Sequence, residues 1–299
     1  MKTTRLFLLS TLVLPLTLAG CDKDVTDTGS ENADADTDTG DGDPGEEGET
    51  DPGPVDSDED GLTDEEEAMY GTDPNKKDTD GDNYWDSWEI IEGTDPLDLS
   101  SRIYTGFWPY NPAKDDLEQG SWANTSTNVG ELFPRDSFLD QHGDMVDLYD
   151  FANFVSPITG EVSYFIFDIS AQWCGPCHNV ANWIAHNDSQ DNAWIEETYP
   201  TVRQKVEEYR IWWVTFIAEA NDGSAPTLSD SQSWYSVHTD SKIPVLVDDA
   251  QDVRNNYLGP AFPHFFLLDP EMRIEFFPPQ SGGTNEDPYP AVGLVDKYL

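Results

Sequence analysis

The 299-residue sequence predicts an α/β domain around a mixed central sheet, preceded by a disordered acidic tether and a pair of small acidic repeats. Three observations predict this order. First, 60 Asp and Glu face 15 Lys and Arg, a net charge of −45, and half of the acids crowd into residues 22–100 beside only Lys23, Lys76 and Lys77. Such a stretch has too little apolar surface for an ordinary core. Second, a 22-residue period runs through the later part of that stretch. Third, from about residue 119 short apolar runs alternate with amphipathic ones, as in packed strands and helices. The acidity also excludes recognition of nucleic acid through a basic patch.

At the N-terminus, Lys2 and Arg5 precede an apolar run from Leu6 to Leu18. The run is too short to span a bilayer, so residues 1–20 read as a signal peptide. Leu18-Ala19-Gly20-Cys21 resembles the lipobox of bacterial lipoproteins. That resemblance implies lipidation of Cys21 and anchoring to a bilayer of the bacterial envelope, periplasmic or outer-surface, through two or three acyl chains. Residues 21–55, mostly Asp, Glu, Thr, Gly and Pro, form the expected tether.

Residues 56–100 carry the repeats. Asp56, Asp58, Asp60, Asp64 and Glu67 recur as Asp78, Asp80, Asp82, Asp86 and Glu89, and Gly-Thr-Asp-Pro follows each set at 71–74 and 93–96. Carboxylates thus stand at loop positions one, three, five, nine and twelve, with the carbonyls of Leu62 and Tyr84 available at position seven. Ca²⁺ takes six to eight hard oxygens from such a loop. Position six must turn sharply, which Gly61 does freely and Asn83 nearly so. No long helix precedes either loop, and the pattern resembles thrombospondin type 3 repeats, whose calcium sites stand in for a hydrophobic core.

In the globular part, Ser163 to Ile169 is apolar on both faces apart from Asp168, as a central parallel strand is. A helix is expected from Cys174 to His186, strands at Ile211–Ala218 and Ile243–Asp248, an edge hairpin at His264–Asp269 and Arg273–Phe277, and a closing helix over 288–299. Trp183, Trp194, Trp212 and Trp213 lie in these elements and are expected in the core.

The chemistry concentrates at Trp173-Cys174-Gly175-Pro176-Cys177, where strand meets helix. Sulfurs at i and i+3 on a first helical turn are close enough to bond. Helix N-terminal N–H groups stabilise a thiolate at Cys174, and Pro176 is tolerated where N–H groups lack partners. A bridge between residues three apart constrains little unfolded-chain entropy, which argues against a purely structural role.

Residues 119–299 resemble thioredoxin-fold proteins, and among them the membrane-anchored TlpA/ResA-like redoxin group. The resemblance lies in Phe133 to Phe151 as a leading hairpin, Phe167 to Cys177 as the strand and active-site segment, and Phe262-Pro263-His264 as the cis-proline loop. It implies a thiol–disulfide oxidoreductase with Cys174, Cys177 and Asp168 as catalytic residues, Asp168 moving a proton for Cys177. Trp173, Pro263 and His264 would meet substrate. The partners implied are envelope protein thiols or disulfides and a redox donor or acceptor; the direction of electron flow stays open. His264 departs from the small residue usual after that proline, and a protonated imidazole there would favour the Cys174 thiolate. Two alternatives remain: a calcium-dependent surface binding module with a thioredoxin fold that does not turn over, and c-type haem attachment at Cys174-Gly-Pro-Cys-His178.

Overall fold

The computed structural model describes residues 53–186, 193–279 and 287–299. The expected signal peptide, Cys21 and residues 21–52 of the tether lie outside them. Residues 52–299 form one compact unit.

Each acidic loop runs into a two-turn helix, α1 (Asp64–Tyr70) and α2 (Asp86–Glu92). Thr63 and Glu66 form a reciprocal cap at the start of α1, satisfying two N–H groups that have no helical partner. The recurrent Gly-Thr pair has a local cause. Gly71 and Gly93 end their helices with φ of 88° and 82°, and Thr72 and Thr94 turn back to donate to Glu67 and Glu89.

The α/β part follows as β1 (Ser137–Leu139), β2 (Met145–Asp147), β3 (Tyr164–Ala171), α3 (Gly175–His186), α4 (Ala193–Thr198), α5 (Val202–Glu207), β4 (Ile211–Glu219), α6 (Leu228–Val237), β5 (Val245–Val247), α7 (Asp252–Tyr257), β6 (His264–Leu268), β7 (Ile274–Phe276) and α8 (Pro290–Tyr298). β1 and β2 make the leading hairpin. The main sheet has the order β5-β4-β3-β6-β7, with β3, β4 and β5 parallel and β6 and β7 antiparallel to their neighbours. A βαβ unit, then helices, then a ββ hairpin and a closing helix is the thioredoxin-like arrangement, and β3 lies at its centre.

Alternation along β3 assigns the two faces. Phe165, Phe167 and Ile169 face one cluster with Phe133, Tyr149 and Phe266, while Ile166 faces another with Val180, Trp183 and Val292 from α3 and α8. Trp183, Trp212 and Trp213 are buried as expected. Trp194 is not: it is 41 % exposed, because α4 is a short helix whose buried position is Ile195. The buried cluster on the hairpin side also takes in Tyr84 from the second repeat and Tyr104 and Trp108 from the connecting segment.

Candidate functional site

β3 ends at Ala171, and its carbonyl accepts from the Cys174 N–H at 3.0 Å as the chain turns into α3. Cys174 and Cys177 are joined by a disulfide, their Cα atoms 5.3 Å apart. Both residues are buried. The Cys177 N–H donates to the Cys174 sulfur at 3.2 Å; this first-turn donor has no helical carbonyl to use.

The Phe262–Pro263 bond is cis, and the loop that carries it packs beside the cysteine pair. Phe262 packs against the cluster containing Cys174 and Cys177 and meets Trp173 edge-on at 5.6 Å. Pro176 and Pro263 line one pocket of about 220 Å³. Trp173 is 52 % exposed. Its indole N–H donates to Glu219 at 2.8 Å, and Arg254 holds the other Glu219 oxygen at 2.5 Å, so the ring is presented by the end of β4.

Asp168 is buried in β3 on the α3 side. Ser170, Trp213 and Thr215 donate to its oxygens at 2.7, 3.3 and 3.3 Å. Burial outweighs these bonds and pushes its carboxyl up to about 7, which suits proton exchange near neutral pH.

His264 corrects one expectation. It pairs with Ile169, on the face opposite Asp168, and its ring packs 5.1 Å from Phe277. Burial lowers its pKa to about 4, so near neutrality the imidazole is uncharged and does not supply the positive charge considered for it.

The sequence analysis also missed a histidine pair. His178 Nδ1 lies 2.7 Å from His238 Nε2, and His178 Nε2 lies 2.8 Å from the Gln172 carbonyl. A carbonyl only accepts, so His178 carries a proton on Nε2, and the other nitrogen of His238 lies 2.9 Å from the Asn182 side-chain oxygen. Trp234 stacks on His178 at 4.5 Å, and Trp234 belongs to the cluster holding both cysteines. His238, buried and near His178 and His186, is pushed down to about 4. With both His178 nitrogens engaged and the sulfurs bonded to each other, the haem alternative has neither its axial ligand nor its thioether sulfurs free. Only proximity in three dimensions reveals the pair, because the partners stand far apart in the sequence.

In the repeats, Asp56, Asp58 and Asp60 converge, as do Asp78, Asp80 and Asp82. The turns that gather them are those the loop spacing demands: Gly61 and Asn83 have φ of 108° and 81°. Glu67 and Glu89 are fully buried. Burial first, then the neighbouring aspartates, push them up to about 7 and about 8. Asp58, Glu67, Asp80, Asp82 and Glu89 each keep a buried oxygen without a hydrogen-bond partner. Crowded acceptors with no donor fit a hard cation, and an all-oxygen donor set fits Ca²⁺. Asp64 and Asp86 are placed differently from the direct ligands expected. Each accepts from the N–H and hydroxyl at loop position two, Ser57 and Thr79 respectively, and so braces its loop outside the triad.

Residues 56–77 and 78–99 match the model of the bacterial TSP3 repeat. No curated protein matches the chain. Among solved structures it is similar to a thioredoxin-like protein from Bacteroides caccae (12 % identity over 52 % of this chain and 47 % of that one, TM-score 0.37). It is also similar to the thioredoxin domain of a thiol-disulfide oxidoreductase from Bacteroides vulgatus (20 %, 57 % and 100 %, 0.34). A third is the exposed lipoprotein thioredoxin of Streptococcus pneumoniae (18 %, 55 % and 99 %, 0.35). The fold itself rests on the strand order above. Among the described residues no helix is long and apolar enough to cross a membrane.

Proposed function

We propose that the chain is an envelope-anchored thiol–disulfide oxidoreductase, lipidated at Cys21, whose Cys174–Cys177 pair exchanges electrons with protein thiols and disulfides. In this reading residues 21–55 are tether, residues 56–100 bind Ca²⁺, and residues 119–299 do the chemistry. The observation that carries it is the disulfide at the start of α3 beside the cis-Pro263 loop.

In the reducing direction the Cys174 thiolate attacks a substrate disulfide, forming a mixed disulfide and releasing one substrate thiolate. Cys177 gives its proton to Asp168 and attacks the Cys174 sulfur, which releases the second thiolate and closes the Cys174–Cys177 bond. Two electrons pass to substrate, and an envelope donor must restore the dithiol. In the oxidising direction every step reverses. Trp173 and the backbone at Pro263 and His264 would receive the substrate chain, the buried His264 ring taking no direct part.

The calcium ligands in this reading are the two triads, Glu67 and Glu89, and the Leu62 and Tyr84 carbonyls, with Asp64 and Asp86 acting through water. Bound Ca²⁺ would supply the positive charge that the orphaned carboxylate oxygens lack.

Equilibrating the chain with glutathione buffers and counting free thiols by alkylation gives the potential of the pair. A value near about −270 mV marks a reductant and one near about −120 mV an oxidant. Insulin reduction or thiol oxidation that survives Cys174→Ser would refute the assignment.

A further inference from the structure

A cavity of about 660 Å³ opens between the second repeat and the α/β domain. Its wall is aromatic, from four separate segments: Trp85 and Trp88 of the repeat, Phe107 and Tyr110 of the connection, Phe154 after the hairpin, and Tyr209 leading into β4. This volume lies in the usual range for small-molecule sites, which favour junctions of this kind.

Three features describe an occupant. The first is charge. Lys77 sits over Trp85 at 4.5 Å and Arg102 over Phe107 at 4.2 Å, while Lys114 over Tyr110 and Lys242 over Tyr209 are spent on ion pairs with Asp150 and Glu207. All four capped rings belong to this wall, in a chain of net charge −45. The second is an unmatched donor. Trp212 also lines the cavity, is 2 % exposed, and its indole N–H has no hydrogen-bond partner. A buried donor without an acceptor costs about 1–3 kcal/mol. The third is that the two tyrosine hydroxyls nearest the repeat are already engaged, leaving Asn83, Ser241 and Tyr209 as the other polar side chains of the wall. The Tyr84 hydroxyl is spent on the Trp108 carbonyl at 2.8 Å, and the Tyr110 hydroxyl on Glu92 at 2.6 Å.

We propose that this cavity binds a small aromatic carboxylate, its ring between the indole and phenol walls, its carboxylate accepting from Trp212 and its charge offset by Lys77 and Arg102 on the faces of two wall rings. Aromatic faces and edges favour an aromatic guest. The site is separate from the disulfide and does not depend on the redox reading.

Calorimetry on the calcium-loaded full chain, with 2-naphthoate and its uncharged analogue 2-naphthalenemethanol, tests it. One 2-naphthoate is expected per chain, with the alcohol about tenfold weaker, a difference of about 1.4 kcal/mol. Val155→Trp, which fills the cavity from an exposed position on its rim, should abolish binding. Trp212→Phe should weaken it about fivefold. Circular dichroism verifies that both variants fold, and Lys77→Gln, which removes the cation over Trp85, gives a surface variant expected to bind more weakly. Absence of saturable 2-naphthoate binding, equal affinity for the alcohol, or binding untouched by Val155→Trp and Lys77→Gln would overturn the proposal.

Discussion

The Tyr84 hydroxyl donates to the Trp108 carbonyl at 2.8 Å, and so fixes position seven of the second acidic loop into the core below the main sheet. Trp108 in turn donates to Asp140, whose other oxygen accepts from the N–H groups of His142, Gly143 and Asp144 in the β1–β2 turn. A loop built for a cation and a hairpin of the α/β domain are therefore linked by two residues.

This linkage predicts that the repeats and the α/β domain melt together and that calcium stabilises both. Saturating a site at about a hundred times its dissociation constant adds about 2.7 kcal/mol, or roughly 5–10 °C for a unit of this size. Scanning calorimetry should show a single transition that EDTA lowers, with part of the shift lost in Glu67→Gln. Two transitions, of which only the smaller responds to EDTA, would show the parts to be independent.

Gly259 exists where it does because of His264. A Cβ at residue 259 would lie 2.4 Å from the His264 ring. Gly259→Ala should destabilise the fold by about 1–3 kcal/mol, and His264→Thr should restore most of that loss by vacating the space. In urea titrations, additive losses in the double variant would contradict the contact. His264→Thr alone should leave the Cys174 thiol titration unchanged, since the neutral ring supplies no charge there.

Asp168 gives stability a definite pH dependence. Its folded pKa, about 7, is raised above the ordinary carboxylate value. The folded state therefore binds more protons than the unfolded one, and this group removes stability as pH climbs from about 4 to about 7. Asp168→Asn should be more stable than the parent at pH 8, by about 2–4 kcal/mol at most, and equal to it at pH 4. The same variant should slow resolution of mixed disulfides about a hundredfold. A variant that is weaker at pH 8 would contradict the burial argument.

His238 acts in the opposite sense. Its folded pKa, about 4, lies below the ordinary imidazole value, so the stability it supports is complete above about pH 6.5 and lost as pH falls through 4. His238→Gln should flatten that part of the stability curve measured in urea. An unchanged slope between pH 4.5 and 6.5 would show that the pair with His178 carries no such linkage.

Much of this was legible in the sequence because the physical demands were local. A short run apolar on both faces and rich in aromatic and β-branched residues reads as a buried strand, as Tyr164–Ala171 is, and a sharp turn at loop position six asks for Gly61 or Asn83. The repeated Gly-Thr pair was visible as a pattern, and its reason, a left-handed helix end with the Thr hydroxyl on the buried Glu, is also local. What escaped was set by distant partners. Position seven asks only for a carbonyl, so nothing nearby reveals that the Tyr84 side chain enters another part of the core. His178 meets His238 only because α6 packs beside α3. His264 reads in the sequence as the opening residue of a strand that meets substrate, and only its pairing with Ile169 shows that its ring is buried.

The most direct test of the central claim is trapping at the cysteine pair. In cells expressing the Cys177→Ser chain, non-reducing electrophoresis should reveal mixed disulfides to envelope proteins through Cys174, all released by dithiothreitol and absent from Cys174→Ser. Equal adducts in both variants, or none in Cys177→Ser, would contradict the assignment of Cys174 as the attacking sulfur.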